Sequence, residues 1–410
     1  MSEPRQAPAI ACVHEWLVEW GGSEDCVRLM LECYPQAQLY ATIDFLSDQD
    51  RPRMGSNREI RTTFLQRMPW VRKGFWNYLS LTGLAVEGHD VSAADLILSS
   101  SHAFAKGVLT RGDQLHISYV YSPMRYAWDL HHEYLRDYRL DRGAKGLLAR
   151  YLIHRLRIWD RQTSNNVDLF LAISRHVQQR IWRTYRRPAR VIYPPVRTDQ
   201  YSVQEAKEDF YVTVSRLVNY KRMDVMIEAF RSMPSRKLLV IGDGPEMPAL
   251  KANCPPNVTL MGWQSDEVVC RHLQAAKAFI FTAHEDFGIS PVEAQACGTP
   301  VIAYGAGGSL ETVRGLHNGA RPTGLLFSHQ TAACLAEAVE YFENAGPVFD
   351  PQACREWAEQ FSEARFKREF SACVDQAWSL WQRDPRALEA ALADGPADAP
   401  ARLPPGLAAT

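Results

Sequence analysis

AFIFTAHEDFGISPVEAQACGTPVIAY, residues 278–304, is the stretch on which the reading of this chain turns. Phe279–Phe281 is short and wholly apolar, the mark of a buried strand. A loop carrying His284, Glu285 and Asp286 follows. Ser290-Pro291-Val292-Glu293 then reads as a helix start, with Ser290 at N-cap, Pro291 at N1 and Glu293 at N3 of a capping box. Val301–Ala303 is a second apolar strand. Strand, helix and strand in this order make a parallel crossover.

The pattern extends in both directions. Ala9–Val13, Asp95–Leu98, His116–Val120, Leu169–Ile173 and Val191–Tyr193 form one series of short apolar runs. After a polar break at residues 202–208, a second series runs through Tyr211–Val214, Leu238–Ile241, Val258–Met261, Phe279–Phe281 and Val301–Ala303. Strands apolar on both faces and separated by helical stretches belong to parallel sheets covered on both sides. The expected fold is therefore α/β, with two doubly wound Rossmann-like domains facing across a cleft. The domains span 1–196 and 197–361, joined at the stiff Tyr193-Pro194-Pro195-Val196 segment. A terminal helix at 362–384 packs back on the body, and the Ala/Pro-rich residues 385–410 read as a disordered tail.

Composition narrows the class. The chain has 410 residues, 46% hydrophobic and 23% charged, with a formal net charge of −1. No global field draws it to nucleic acid. Nine cysteines without a C-x-x-C pair point to a reducing compartment. The first residues lack a charged n-region followed by a long apolar run, and no stretch approaches the roughly 20 apolar residues of a spanning helix. The expected location is the cytoplasm, or the cytoplasmic face of a membrane.

Open α/β sheets bind ligands at the carboxyl ends of their strands. Glu285 stands at such an end, eight residues before Glu293. Asp286-Phe287-Gly288-Ile289 leads into a helix N-terminus, where backbone N–H groups and the helix dipole favour phosphate. Gly288 admits close approach of a ligand, and carboxylates accept hydrogen bonds from sugar hydroxyls. N–H groups for phosphate beside carboxylates for sugars fit a sugar nucleotide. Taken alone, the capping box is enough to explain Glu293. Arg216, after the strand at 211–214, and Lys221 provide two cations suited to a diphosphate leaving group. Gly242, in Gly242-Asp243-Gly244-Pro245-Glu246, turns at another strand end. Gly21 and Gly22 open a helix after the first strand, with Ser23 as its N-cap. The only D-x-D, Asp48-Gln49-Asp50, lies away from these strand ends and reads as a solvated loop, so no metal ligand set is assigned.

Together these residues resemble the family 4 glycosyltransferases, which have the GT-B fold. The resemblance covers nearly the whole chain. It rests on E-x7-E at Glu285 and Glu293, V-S-R-L-x-x-Y-K-R-x-D from Val214 to Asp224, and G-D-G-P-E. In the first half, VHEWL-x-x-x-GGSE, LILSSSHAFAKGV and HISYVYSPMRYAWDLHHEYL look like a bacterial group of O-antigen and exopolysaccharide mannosyltransferases. The resemblance implies retaining transfer from a nucleoside diphosphate sugar, without metal or other cofactor, and GDP-mannose as donor. It implies that Glu293 holds the donor ribose, Glu285 faces the sugar, Arg216 and Lys221 meet the diphosphate, and Gly21 and Gly22 lie beside the phosphates. Related proteins often have His-x-Pro-Met-Arg-Tyr where this chain has Tyr121-Ser122-Pro123-Met124-Arg125-Tyr126, which puts a catalytic histidine at position 121 in doubt. His102 is another candidate for sugar contact, and also reads as a satisfied strand-end histidine.

Arg125, Tyr126 and Trp128 are candidates for an acceptor pocket, with Trp128 stacking on a sugar, or for packing between helix and sheet. Residues 61–78 mix Arg61, Arg67, Arg72 and Lys73 with five aromatics and no acid. Residues 142–161 hold six Arg/Lys with Asp160 as the one acid. Both segments suit an anionic inner-leaflet surface or internal packing on one face. The group's acceptors, glycans or polyprenyl-diphosphate-linked sugars, favour the membrane. Four alternatives remain: a UDP-sugar donor, a non-catalytic assembly partner, a GT-B sugar-nucleotide epimerase, against which the basic pair and E-x7-E favour transfer, or a dehydrogenase. The last is disfavoured because no G-x-G-x-x-G follows a strand.

Overall fold

The structure, a computed structural model, describes residues 8–55, 58–316, 321–346 and 348–394. These form two compact units, 8–194 with 366–394, and 195–365. The division falls inside the Tyr193–Val196 connector.

The first unit holds seven parallel strands: β1 (Ile10–Leu17), β2 (Gln38–Asp44), β3 (Ile60–Thr62), β4 (Leu96–Ser101), β5 (Leu115–Val120), β6 (Leu169–Ala172) and β7 (Ala189–Val191). Their spatial order is β3-β2-β1-β4-β5-β6-β7. The second unit holds β8 (Glu208–Val214), β9 (Leu238–Ile241), β10 (Val258–Gly262), β11 (Ala276–Phe281), β12 (Val301–Tyr304) and β13 (Gly324–Phe327), in the order β10-β9-β8-β11-β12-β13. Each is a Rossmann-like sheet, as expected. The order reverses between β1 and β4 in the first sheet and between β8 and β11 in the second. Loops leave in opposite directions there, opening a crevice at the strand carboxyl ends.

The apolar runs became strands because both faces are buried. On β11, Ala278 and Ile280 join one core cluster while Phe279 and Phe281 join the other. Burying a side chain of this size contributes about 1.5–3 kcal/mol. Three strands escaped the sequence reading. β3 is a three-residue edge strand with two exposed residues. β13 opens on a glycine, where a Cβ would stand 2.1 Å from the Val301 carbonyl oxygen. β2 mixes Gln38, Thr42 and Asp44 into its run.

β1 runs four residues past its expected end, to Leu17, with Glu15 bonded inside through one carboxylate oxygen. Glu15 is fully buried, and that oxygen accepts from the N–H groups of Ala103, Phe104 and Ala105.

The helix Glu363–Trp381 packs Phe366 and Phe370 edge-on against Tyr119, with centroids at 5.7 and 6.3 Å. The expected disordered tail is corrected over residues 385–394. Leu388 and Leu392, one helical turn apart, are 1% and 4% exposed, and Asp394 bridges Ala189. Their burial against the first unit orders a segment whose Ala/Pro-rich composition read as disordered. Residues 395–410 lie outside the described residues.

Candidate functional site

In the second unit, the switch point between β8 and β11 gathers the residues singled out above. The loop after β8 carries Arg216, which is exposed, and Lys221. The loop after β11 carries Glu285. The Lys221 ammonium and a Glu285 carboxylate oxygen form an ion pair, with side chains 15% and 18% exposed. The pair is held from behind. The Thr282 hydroxyl donates to the Lys221 carbonyl at 2.9 Å, Gln330 donates to the Thr282 carbonyl at 2.7 Å, and Arg222 donates to the Gln330 side-chain oxygen at 3.1 Å. These bonds tie the loop after β8 to the end of β11.

Glycines set how closely the loops approach. Gly242 has φ 133°, and a Cβ there would lie 1.9 Å from the Ser215 carbonyl oxygen. Its bare backbone is required for packing on the loop that carries Arg216. Gly307 has φ 64°, and a Cβ would stand 2.3 Å from the Glu285 carbonyl oxygen. The Gly308 N–H donates to that same carbonyl at 2.8 Å. Gly307 and Gly308 therefore hold the backbone of Glu285 in place. Neither glycine was singled out from the sequence, because both lie in the loop beyond the Val301–Ala303 strand.

The capping box is corrected. The helix is Ile289–Ala296 and its N-cap is Gly288, at φ 88°, with no side-chain cap bond. A left-handed Gly288 starts the helix two residues before the expected point, so Ser290 lies inside it and Glu293 sits in the second turn. Glu293 is half-buried and hydrogen-bonded by the Tyr201 hydroxyl. Burial, and then the Glu293 charge, push the Tyr201 hydroxyl well up from its usual acidity. Tyr201 lies just before the polar break at 202–208, where no periodicity marks it. Phe287 does not face open space. It is 4% exposed and edge-on to Phe361 at 5.5 Å. Asp286 and Ile289 are half-buried.

In the first unit, the switch point between β1 and β4 brings other candidates together. Gly21 is the N-cap of the helix Gly22–Cys33. This corrects the assignment of Ser23, whose hydroxyl instead donates to Glu24 at 2.8 Å. His102 follows β4 and is half-buried. Its ring stacks on Tyr121, with centroids 4.4 Å apart and planes at 25°. It lies parallel to Trp16, 3° between planes at 6.1 Å. Tyr121 is buried, and burial pushes its hydroxyl far above the usual value.

Arg125 and Tyr126 are half-buried, and Tyr126 lies 6.1 Å from Tyr134. Trp128 is half-buried against the core of the first unit. Its indole N–H donates to Asp160 at 2.7 Å. That fully buried carboxylate also pairs with Lys106 at 2.7 Å and accepts from Tyr185 at 3.0 Å. Trp128 therefore belongs to a buried polar network, the packing alternative.

Two Rossmann-like sheets, each with polar groups at its switch point, define an open α/β protein with ligand crevices at the strand carboxyl ends. Residues 197–363 match the family model described as "Glycosyl transferases group 1". A D-inositol 3-phosphate glycosyltransferase of Mycobacterium sp. (strain KMS) is 31% identical over 172 residues, covering 38% of this chain and 37% of its own. A GDP-mannose-dependent alpha-(1-6)-phosphatidylinositol monomannoside mannosyltransferase of Mycobacterium tuberculosis is 27% identical over 210 residues, 44% of this chain and 53% of its own. The chain thus spans between about two-fifths and half the length of these curated relatives.

Among solved structures, Anabaena Alr3699/HepE in complex with UDP-glucose matches at TM-score 0.64 and 17% identity, covering 90% of this chain and 99% of that one. The sucrose-phosphate synthase of Thermosynechococcus elongatus matches at TM-score 0.67 and 16% identity, with 90% and 99% covered. The fold is GT-B.

Proposed function

We propose that the protein is a retaining glycosyltransferase that moves mannose from GDP-mannose to a glycan or polyprenyl-diphosphate-linked acceptor at the inner face of a membrane. The observation that carries the reading is the Lys221–Glu285 pair at the switch point of the second sheet. Lys221 sits where a leaving diphosphate needs positive charge, and Arg216 lies on the same loop. Glu285 sits where a carboxylate can accept from sugar hydroxyls. When donor binds, the phosphate competes with Glu285 for the ammonium and frees the carboxylate for the sugar. Glu293, held by Tyr201, faces the ribose, and the chain's own cations, rather than a metal, stabilise the leaving group. The GDP-mannose dependence of the M. tuberculosis relative supports GDP-mannose as donor.

The membrane reading draws on the helix Gly143–Thr163. It exposes Leu147, Leu148 and Tyr151 at 70%, 58% and 58%, with Lys145, Arg150 and Arg155 also exposed. In residues 61–78, Leu65 and Val71 are buried while Trp70 is 84% exposed.

A thermal-shift screen with GDP-, UDP-, ADP- and dTDP-sugars tests the donor. A ligand of the folded state alone adds about 2.7 kcal/mol at a hundredfold over its Kd. A GDP-selective shift is expected, and a UDP-selective one overturns the donor assignment. Glu285→Ala should lower transfer by at least about a hundredfold; unchanged transfer would remove Glu285 from the site.

A further inference from the structure

The carboxyl ends of β1, β4 and β5 lie side by side in the first sheet, and each carries an aromatic or imidazole ring. Tyr121, just after β5, is buried. The His102 ring, just after β4, stacks on it with centroids at 4.4 Å. Trp16, near the end of β1, lies parallel to His102 at 6.1 Å. Next to Trp16 come Phe75 at 5.3 Å and Trp76 at 5.4 Å, both in the short turn Phe75–Tyr78. The row of rings starts in the core at Tyr121 and ends on Trp76, which is 57% exposed.

Packing explains the inner rings. Trp16 and Phe75 lie against the apolar cluster of Ile43, Leu65, Val71 and Ala85. Trp76 stands outside that cluster. A single exposed apolar side chain is ordinary on a protein surface. This one continues a row that runs along the switch-point crevice, where open α/β sheets take their ligands.

Ring separations decide where a sugar can lie. Carbon atoms in contact sit about 3.5–4.0 Å apart, so a sugar held between two parallel rings needs about 7–8 Å between them. Trp16 and His102, at 6.1 Å, are too close. A pyranose fits only on the outer side of the row, where Trp76 is exposed. An indole offers an apolar face and one N–H, and no positive charge. It suits the C–H face of a neutral sugar better than the diphosphate of a lipid.

We propose that Trp76 is the stacking platform for a hexopyranose residue of the acceptor, with Trp16 and Phe75 holding its indole in place. The proposal rests on the transferase reading and deepens it. The groups assigned to the donor gather in the second unit, and the sugar that receives the transfer needs a surface of its own.

Saturation-transfer difference NMR on the full chain, with methyl α-D-mannopyranoside as probe, reads the contact. Irradiating the aromatic protons of the protein should label the ring C–H protons of the sugar. Trp76→Ala should lower that labelling at least about fivefold, while Trp76→Tyr, which keeps a flat ring, should retain most of it. Circular dichroism should show both variants folded. Labelling absent in the wild type, or equal in Trp76→Ala, overturns the proposal. Equal labelling with lost flotation on anionic liposomes would give Trp76 to the membrane instead. The readout needs no nucleotide sugar. The platform can therefore fail while a donor-induced thermal shift persists, and the transferase reading can fail while the sugar contact persists.

Discussion

Lys221 and Glu285 come from loops more than sixty residues apart in the chain, and both depend on neighbours without side chains. Gly307 is the sharpest case. Its φ of 64° is left-handed, and a methyl would collide with the Glu285 carbonyl. Gly307→Ala should destabilise the second unit by about 1–3 kcal/mol, the usual cost of such a conformation. It should also shift Glu285 and lower transfer more than donor binding. Denaturant unfolding and steady-state kinetics check the two halves. At this scale the sequence was informative about residue type. Glu285, Lys221 and Arg216 were legible because charged residues at strand ends are costly to misplace. Ser290 and Ser23 were misread because a serine before a helix resembles a cap whether or not a glycine takes the position. Phe287 was misread, and Trp128 was left open between an acceptor pocket and packing, because an aromatic's environment is a property of its neighbours.

At the scale of elements, β4 and β5 illustrate how a buried strand handles polar residues. His116 is fully buried in β5, with Nδ1 donating to the Asn166 carbonyl at 2.9 Å and Nε2 accepting from Ser99 at 2.8 Å. Both bonds suit the neutral ring. Burial pushes its pKa down to about 4. The unfolded ring, near 6.5, binds a proton that the folded ring refuses, so stability rises with pH in this range. The contribution is complete above about pH 6.5 and is lost as pH falls toward 4, a total of roughly 3 kcal/mol. Urea unfolding between pH 4 and 7 should show this slope, and His116→Gln should reduce it, leaving the part due to His89, whose pKa burial likewise pushes down to about 4. The strands themselves were legible wherever both faces were apolar. β3 and β13, short and at sheet edges, carry too few residues for a periodic signal, and only pairing with β2 and β12 defines them.

At the scale of the whole molecule, the two-unit division follows from two separate series of strands, and the switch points follow from their spatial order. No helix among the described residues is long and apolar enough to cross a membrane. The proposed docking through residues 143–163 therefore depends on exposed leucines and cations together. Full-length protein should co-float with liposomes containing anionic lipid, less so at high salt. Leu147→Glu with Leu148→Glu should abolish flotation while leaving the nucleotide-induced thermal shift intact. Flotation of the double variant at the wild-type level would remove this face from the membrane.

The sequence by itself determined the parallel α/β class, the two domains and the identity of the charged groups. These depend on local composition: apolar runs too short for helices, and cations and carboxylates at their ends. Only the tertiary structure decided which groups meet. It paired Lys221 with Glu285, gave Glu293 to Tyr201 and drew Trp128 into the Asp160 network. It also linked His14 to Glu24 and Ser100, and Ser100 to Tyr121, by hydrogen bonds. Such contacts depend on strand order and register, and so on long-range burial that one-dimensional periodicity does not encode.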